Sequence, residues 1–169
     1  VLSELDPLSD DLDAVGKLRA ALESGGSVRR RVVMARKGTQ PPQYESHNYR
    51  CRAVVHAACR YFLAPSNKTF DLVYRVASAK DAAGLESAAG GAPRILVWID
   101  PDDSLNSTIV SDLVAFINHR DAEPDARLRT CVVVNAEPVI DAQLRRDLKL
   151  EAVAVKATET LAKVVASDR

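Results

Sequence analysis

Three short segments in the second half of the chain constrain its fold more than any other feature. They are RILVWI at 94–99, RTCVVV at 129–134 and EAVAVK at 151–156. The pattern of each predicts a short strand, and a segment with the apolar spacing of a helix follows each one. Strands and helices that alternate in this way form βαβ units, with helices on both faces of a parallel sheet. We therefore predict an α/β fold, a three-layer domain with a mostly parallel central sheet.

The rest of the chain adds further helices and strands to this pattern. Ser104 and Thr158 are the expected N-caps of two of the helices, because their hydroxyl groups accept hydrogen bonds from free backbone N–H groups. The loop over 37–43 follows from its Gly and Pro residues. The predicted helices cover 9–23, 45–63, 80–89, 105–119, 139–149 and the segment after 158, and the two further strands cover 28–35 and 69–77.

Length and composition limit the class of protein. The chain has 169 residues, of which 47% are hydrophobic and 27% charged, and this suits one domain with a sizeable core and excludes a disordered chain. We expect an acidic helical segment at 1–26 and a single α/β domain at 27–169, with a basic lead-in at 27–60 and the parallel βα core at 69–169. No apolar run approaches the ~20 residues that span a bilayer, and no signal peptide opens the chain. The three Cys do not form a disulfide framework, so a reduced, cytoplasmic protein without membrane contacts is expected.

Charge is distributed unevenly, although the formal net charge is zero. Residues 1–26 hold six acids and two bases, whereas residues 27–60 hold eight bases and one acid, for net charges of −4 and +7. A basic block of this kind suits contacts with the phosphates of nucleic acid. A solvated basic face, or a block covered by the acidic segment, are the alternatives. The residues expected to contact nucleic acid are Arg29, Arg30, Arg31, Arg36 and Lys37.

Three carboxylates stand directly after the strand at 94–99, in Asp100-Pro101-Asp102-Asp103. Clustered carboxylates repel one another, and a divalent cation relieves that repulsion. Oxygen ligands suit Mg²⁺ or Mn²⁺, so Asp100, Asp102 and Asp103 are the candidate metal ligands. The alternative is a turn whose acidic residues favour the next helix through its dipole.

Polar residues also follow the next two strands, namely Asn135 and Glu137, then Lys156 and Thr158. Right-handed crossovers bring the ends of parallel strands to one edge of the sheet, where ligands bind. A metal ion and Lys156 at this edge would stabilise charge on phosphoryl oxygens. No G-x-x-x-x-G-K-[ST] phosphate loop occurs in the chain.

The segment ILVWIDPDDSL resembles the opening motif of the haloacid dehalogenase-like phosphatases, which place D-x-D after an apolar strand. The resemblance implies that Asp100 is a nucleophile, that Asp102 is an acid/base and that Lys156 is the later lysine.

A broader resemblance begins at residue 94. The strand ending in CVVVN, the stretch EPVIDAQLRRD and the final AVAVKATETLAKVV are similar to the C-terminal half of a PD-(D/E)xK, restriction-endonuclease-like domain. The resemblance implies that fold, with Asp71 as the first acid and Asp100, Asp102 and Lys156 as further catalytic residues. The family's (D/E)-x-K motif falls on Asp100-Pro101-Asp102, with Asp102 in the place of Lys. This substitution favours a catalytically degenerate domain.

The sequence therefore predicts a nuclease-like, catalytically degenerate domain of a larger DNA-transacting or defence-type protein. Its expected partners are DNA or RNA and other domains of the parent protein, and its expected ion is Mg²⁺ or Mn²⁺. Two alternatives stay open. One is a non-catalytic scaffold or protein-interaction domain, and the other is a Mg²⁺-dependent phosphohydrolase that uses Asp100 and Asp102.

Overall fold

A computed structural model of the chain shows five strands and four helices in the part of the chain that it describes. Their order is α1 (Leu12–Glu23), β1 (Arg29–Ala35), α2 (Tyr44–Leu63), β2 (Leu72–Val76), α3 (Ala79–Ala89), β3 (Arg94–Ile99), α4 (Ser107–Ala122), β4 (Arg129–Val134) and β5 (Glu151–Ala154). The described residues are 12–23, 29–35, 44–100, 104–125, 127–134, 146–148 and 151–154. None of the described helices is both long and apolar enough to cross a membrane.

All five strands run parallel in one sheet, in the order β2-β3-β4-β1-β5. Every connection between parallel strands must cross over the sheet, which is why α2, α3 and α4 separate the strands from β1 to β4 along the chain. The expected α/β architecture with a parallel sheet is confirmed. The predicted strands at 94–99 and 129–134 match β3 and β4 at both ends.

The side chains of β3 divide between two apolar cores, one on each face of the sheet. Ile95, Val97 and Ile99 pack with residues of α3 and α4. Leu96 and Trp98 pack with residues of α1 and α2. Alternate residues of a strand point to opposite faces, so a continuously apolar strand needs a helical layer on each side. The three layers of the domain follow from this pattern.

The first described helix, α1, belongs to one of these layers. Its Ala14, Leu18 and Leu22 are buried against α2 and the sheet. The Arg129 guanidinium, from the start of β4, donates a hydrogen bond to the Leu22 carbonyl near the end of α1. Such a bond satisfies one of the carbonyl groups left free at a helix C-terminus. Thus α1 and the sheet share one core.

The start of α4 corrects the predicted cap. Asn106 is the N-cap, because its side-chain oxygen accepts a hydrogen bond from the Ile109 N–H at 3.0 Å. The Ser104 hydroxyl oxygen instead accepts a hydrogen bond from the Ala79 N–H, also at 3.0 Å. Ser104 therefore joins the loop after β3 to the first turn of α3. The proposed Thr158 cap lies outside the described residues, as do the loop at 37–43 and most of the helix at 139–149.

The amino ends of β2 and β3 are joined by a bidentate ion pair. The Arg94 guanidinium donates to both carboxylate oxygens of Asp71, at 2.8 and 3.1 Å, and the Arg94 backbone N–H donates to the same carboxylate at 3.0 Å. The side-chain hydrogen bond from Arg94 is the main reason that the pKa of Asp71 lies below its ordinary value. Asp71 therefore favours the charged state more strongly in the folded chain than in the unfolded one.

Replacing Asp71 by Asn is expected to lower the free energy of unfolding at pH 7 by at most about 1 kcal/mol, because the pair is partly exposed and screened by water. A depressed carboxyl pKa adds stability above the unfolded value of about 3.9, and that stability is lost as the pH falls through the folded value. The gap between wild type and D71N in urea denaturation should therefore close below about pH 4. Asp112→Asn, on the exposed side of α4, is the matched control. A gap that is unchanged at pH 2.5 would contradict this assignment.

Candidate functional site

The candidate site lies at the carboxyl edge of the sheet, where β2 and β3 end. Asp100 directly follows β3, and its backbone N–H donates to the Val76 carbonyl at 2.9 Å. This bond extends the pairing of the two strands by one step and fixes the position of the Asp100 backbone. The Asp100 side chain is only 1% exposed. A carboxylate at such a depth requires compensating charge or hydrogen bonds.

Two arginines from different elements supply that charge. The Nε of Arg52, on α2, lies 3.0 and 3.2 Å from the two carboxylate oxygens of Asp100. The Nη2 of Arg75, on β2, donates to one of these oxygens at 2.5 Å. The side chains of Arg52 and Arg75 are 37% and 46% exposed. We call these three residues the carboxyl-edge cluster, and its formal charge is +1.

Trp98 lies beside the carboxyl-edge cluster and helps to position it. It is the register partner of Arg75 across β2 and β3, and the Arg75 guanidinium carbon lies 5.1 Å from the centre of its ring. On the α2 side, the His56 ring lies 6.1 Å from the Trp98 ring. His56 is 2% exposed and lies in the interior of the domain. Because Arg52 precedes His56 by about one helical turn, the same face of α2 carries both toward β3.

The structure does not bring Asp71 near Asp100. Asp71 lies at the amino ends of the strands, where it pairs with Arg94. Six residue steps along β3 lead from Arg94 to Asp100, a span of about 20 Å at the rise of a strand. Metal–oxygen bonds of about 2.0–2.6 Å cannot bridge this distance. The structure therefore does not bring Asp71 and Asp100 together at one metal ion.

Within the described residues, no three His, Cys, Asp or Glu side chains are grouped so as to hold a metal ion. Among the described residues, Asp100 pairs with the two cations Arg52 and Arg75, which gives it a counter-ion role. The remaining sequence-based candidates lie outside the described residues: Asp102, Asp103, Asn135, Glu137, Lys156 and Thr158. Their roles stay predictions.

The basic residues expected to contact nucleic acid fall only partly within the described part of the chain. Arg29, Arg30 and Arg31 lie in the amino-terminal half of β1, an interior strand between β4 and β5. Arg36 and Lys37 lie outside the described residues. Their contact with nucleic acid stays a prediction.

Arg75 is the site residue that sequence reasoning missed. The alternation of β2 places it on the strand face opposite to Tyr74, and an isolated charge on a largely apolar strand is the only signal it gives. Its partner Asp100 is 25 residues away in sequence, so no local pattern connects them. Arg52 belongs to the basic block at 27–60, but nothing in the sequence indicates its ion pair with Asp100.

Cys59 is excluded as a nucleophile. It is buried in the core between α2 and the sheet, and burial raises the pKa of its thiol to about 12. Thiols react as thiolates, and at neutral pH this thiol is almost entirely protonated.

Comparison with models of protein families, with curated proteins and with solved structures found no match to this chain. The chemistry of the site is therefore argued from its geometry. A buried carboxylate that holds two half-exposed guanidinium groups presents net positive charge to the solvent. Such an arrangement suits an anionic ligand better than a metal cation.

Proposed function

We propose that this chain is a nucleic-acid-associated α/β domain that does not cleave its ligand through a metal ion held by Asp71 and Asp100. The observation that carries the proposal is the pairing of Asp100 with Arg52 and Arg75 at the ligand-binding edge of a parallel sheet. The basic block at 27–60 supports the nucleic-acid part of the proposal. The nuclease-like resemblance then applies to a degenerate relative, which kept a binding surface and lost the catalytic acids.

The two alternatives fit the geometry less well. A phosphohydrolase nucleophile must reach its substrate, whereas the Asp100 carboxylate is 1% exposed and bonded to Arg52 and Arg75. A scaffold or protein-interaction domain gives no reason for positive charge at the carboxyl edge. If the chain binds neither DNA nor RNA, a scaffold or protein-interaction function is the better assignment.

A second candidate function, nucleotide binding, is favoured by the strand order. β1 and β4 are neighbours, and the chain leaves them on opposite faces of the sheet. After β1 the chain forms α2, which packs on the same face of the sheet as α1. Leu148, which lies between β4 and β5 in the sequence, packs on the other face with α3 and α4. Parallel sheets bind ligands at such a switch point, and a strand–loop–helix unit presents backbone N–H groups to phosphates. The absence of G-x-x-x-x-G-K-[ST] indicates that any nucleotide is held in a different way.

Binding of labelled single-stranded DNA and RNA, followed by fluorescence anisotropy across a salt series, tests the main proposal. We expect the affinity to fall as salt rises, because neutralised phosphates release counterions. Replacing Arg36 and Lys37 together by Gln should lower the slope of log affinity against log salt, by an amount that corresponds to about one to two lost phosphate contacts. Arg127→Gln is the control, since this side chain is 83% exposed and follows α4 at the opposite edge of the sheet. No binding to either nucleic acid at low salt would contradict the proposal.

Cleavage is tested on the same ligands with Mg²⁺ and with Mn²⁺. The proposal expects no cleavage that depends on Asp71. A nuclease activity that Asp71→Asn abolishes, while the fold stays intact by circular dichroism, would show that the catalytic part of the proposal is wrong.

A further inference from the structure

We propose that the carboxyl-edge cluster is a phosphate-binding site in which Arg52 and Arg75 contact the ligand and Asp100 positions them. This inference rests on the proposed function and names the chemical group that the carboxyl edge recognises. The phosphate belongs either to a nucleotide or to a nucleic-acid backbone, and the experiment below separates these two sources.

The hydrogen bonds inside the cluster leave most guanidinium donors available. A guanidinium carries five N–H donors. Arg52 uses its Nε toward Asp100, and Arg75 uses its Nη2. In the described part of the chain, the two Nη atoms of Arg52 and the Nε and Nη1 of Arg75 have no acceptor at hydrogen-bond distance. These atoms are the donors that an incoming anion would meet.

Asp100 and Trp98 fix the two guanidinium groups before any ligand arrives. The carboxylate contacts both groups, and the Trp98 ring lies 5.1 Å from the Arg75 guanidinium carbon. Groups that are already ordered lose less side-chain entropy when a ligand binds. Because Asp100 is buried and the arginines are half exposed, a ligand at the surface meets the positive groups first.

Phosphate is the anion that best suits two converging guanidinium groups. The two Nη atoms of Arg52 share one edge of the guanidinium and suit a paired contact with two phosphate oxygens, whereas Arg75 adds single N–H bonds; a phosphate has enough oxygens to contact both groups at once. The location agrees with this ligand, since the carboxyl edge of a parallel sheet is where phosphate-bearing ligands bind in α/β domains. Lys would be a poorer residue at either position, because its ammonium group makes only point contacts.

Two probes measure the site: ATP without added metal, by calorimetry, and a fluorescein-labelled single-stranded DNA, by anisotropy. Arg52→Gln and Arg75→Gln each leave one arginine beside Asp100, so both variants should fold. Each is expected to weaken binding of the relevant probe about tenfold, the equivalent of one charge-assisted hydrogen bond. The control Arg127→Gln should bind within about twofold of wild type, because its side chain is exposed and lies away from the cluster.

A variant that removes the whole cluster controls for misfolding. In R52Q/R75Q/D100N, the two cations and the buried carboxylate are removed together, so the Asp100 charge is not left buried without its arginines. If this variant melts cooperatively and binds at least tenfold more weakly than wild type, the loss belongs to the site and not to the fold.

The outcomes separate the inference from the proposed function. If the arginine variants lose ATP binding alone, the ligand is a nucleotide. If they lose DNA binding alone, the ligand is a backbone phosphate. If they lose both, the site accepts phosphate from either source. DNA binding that is unchanged in folded variants, without ATP binding, overturns the inference and leaves the proposed function standing. Arginine-dependent ATP binding without any DNA or RNA binding supports the inference and contradicts the proposed function. Wild-type protein that binds neither probe overturns the inference.

Discussion

Replacing Arg52 and Arg75 together by Gln is expected to lower the free energy of unfolding by about 3–5 kcal/mol. The double variant leaves the Asp100 carboxylate, 1% exposed in the wild type, without its two cations. A buried carboxylate that loses two cationic partners loses most of the charge compensation they supply, so this variant should be more strongly destabilised than either single arginine variant. Urea denaturation at neutral pH, followed by circular dichroism, measures the effect.

Adding Asp100→Asn to this double variant should recover most of the lost stability, because no buried charge is then left. Asp100→Asn alone should lower the free energy of unfolding by less than the double substitution does, since Arg52 and Arg75 are half exposed and stay hydrated without the carboxylate. Arg127→Gln should leave the transition midpoint unchanged. If the double and triple variants were equally stable, Asp100 would not depend on these arginines, and the counter-ion assignment would be wrong.

The second large effect is expected in the core. Leu96→Ala should lower the free energy of unfolding by about 2–5 kcal/mol. The Leu96 side chain, on β3, is fully buried against the layer formed by α1 and α2, so its truncation leaves a cavity. Leu63→Ala, at the end of α2, makes the same chemical change at a side chain that is 57% exposed. That control should change stability by no more than about 0.5 kcal/mol. Chemical denaturation of both variants under one set of conditions gives the comparison.

Similar costs for Leu96→Ala and Leu63→Ala would contradict the placement of β3 between two apolar layers. A large cost for Leu96→Ala alone supports the central position of β3 in the sheet. The same logic applies to Ile99 on the other face, which packs with α3 and α4.

The elements that sequence reasoning found were those with strong local patterns. β3 is apolar over its last five residues and β4 over its last four, and such continuous runs are typical of strands covered on both faces. The predicted helix over 45–63 matches α2, whose Val54, Val55 and Ala58 are buried against the sheet. Local periodicity therefore determined where most elements lie and which faces they bury.

Sequence reasoning failed where distant parts of the chain meet. Periodicity shows which face of a strand is buried, but it does not show which strand lies beside it, so the insertion of β1 between β4 and β5 was not foreseen. For the same reason, Asp71 and Asp100 were treated as possible partners, although parallel pairing places them at opposite edges. The predicted N-cap of α4 was wrong for a local reason. Ser104 and Asn106 are both good N-cap residues, and only the backbone geometry decides between them.

A calorimetric titration with Mn²⁺ tests directly whether Asp100 is a counter-ion for Arg52 and Arg75 and not a metal ligand. Wild type and Asp100→Asn are titrated side by side, below the temperature at which either begins to unfold. The counter-ion role predicts that any Mn²⁺ binding is the same in both proteins, since the carboxylate is already occupied by two guanidinium groups. Mn²⁺ binding in the wild type that disappears in the folded variant would contradict this role and would restore a metal site at the carboxyl edge.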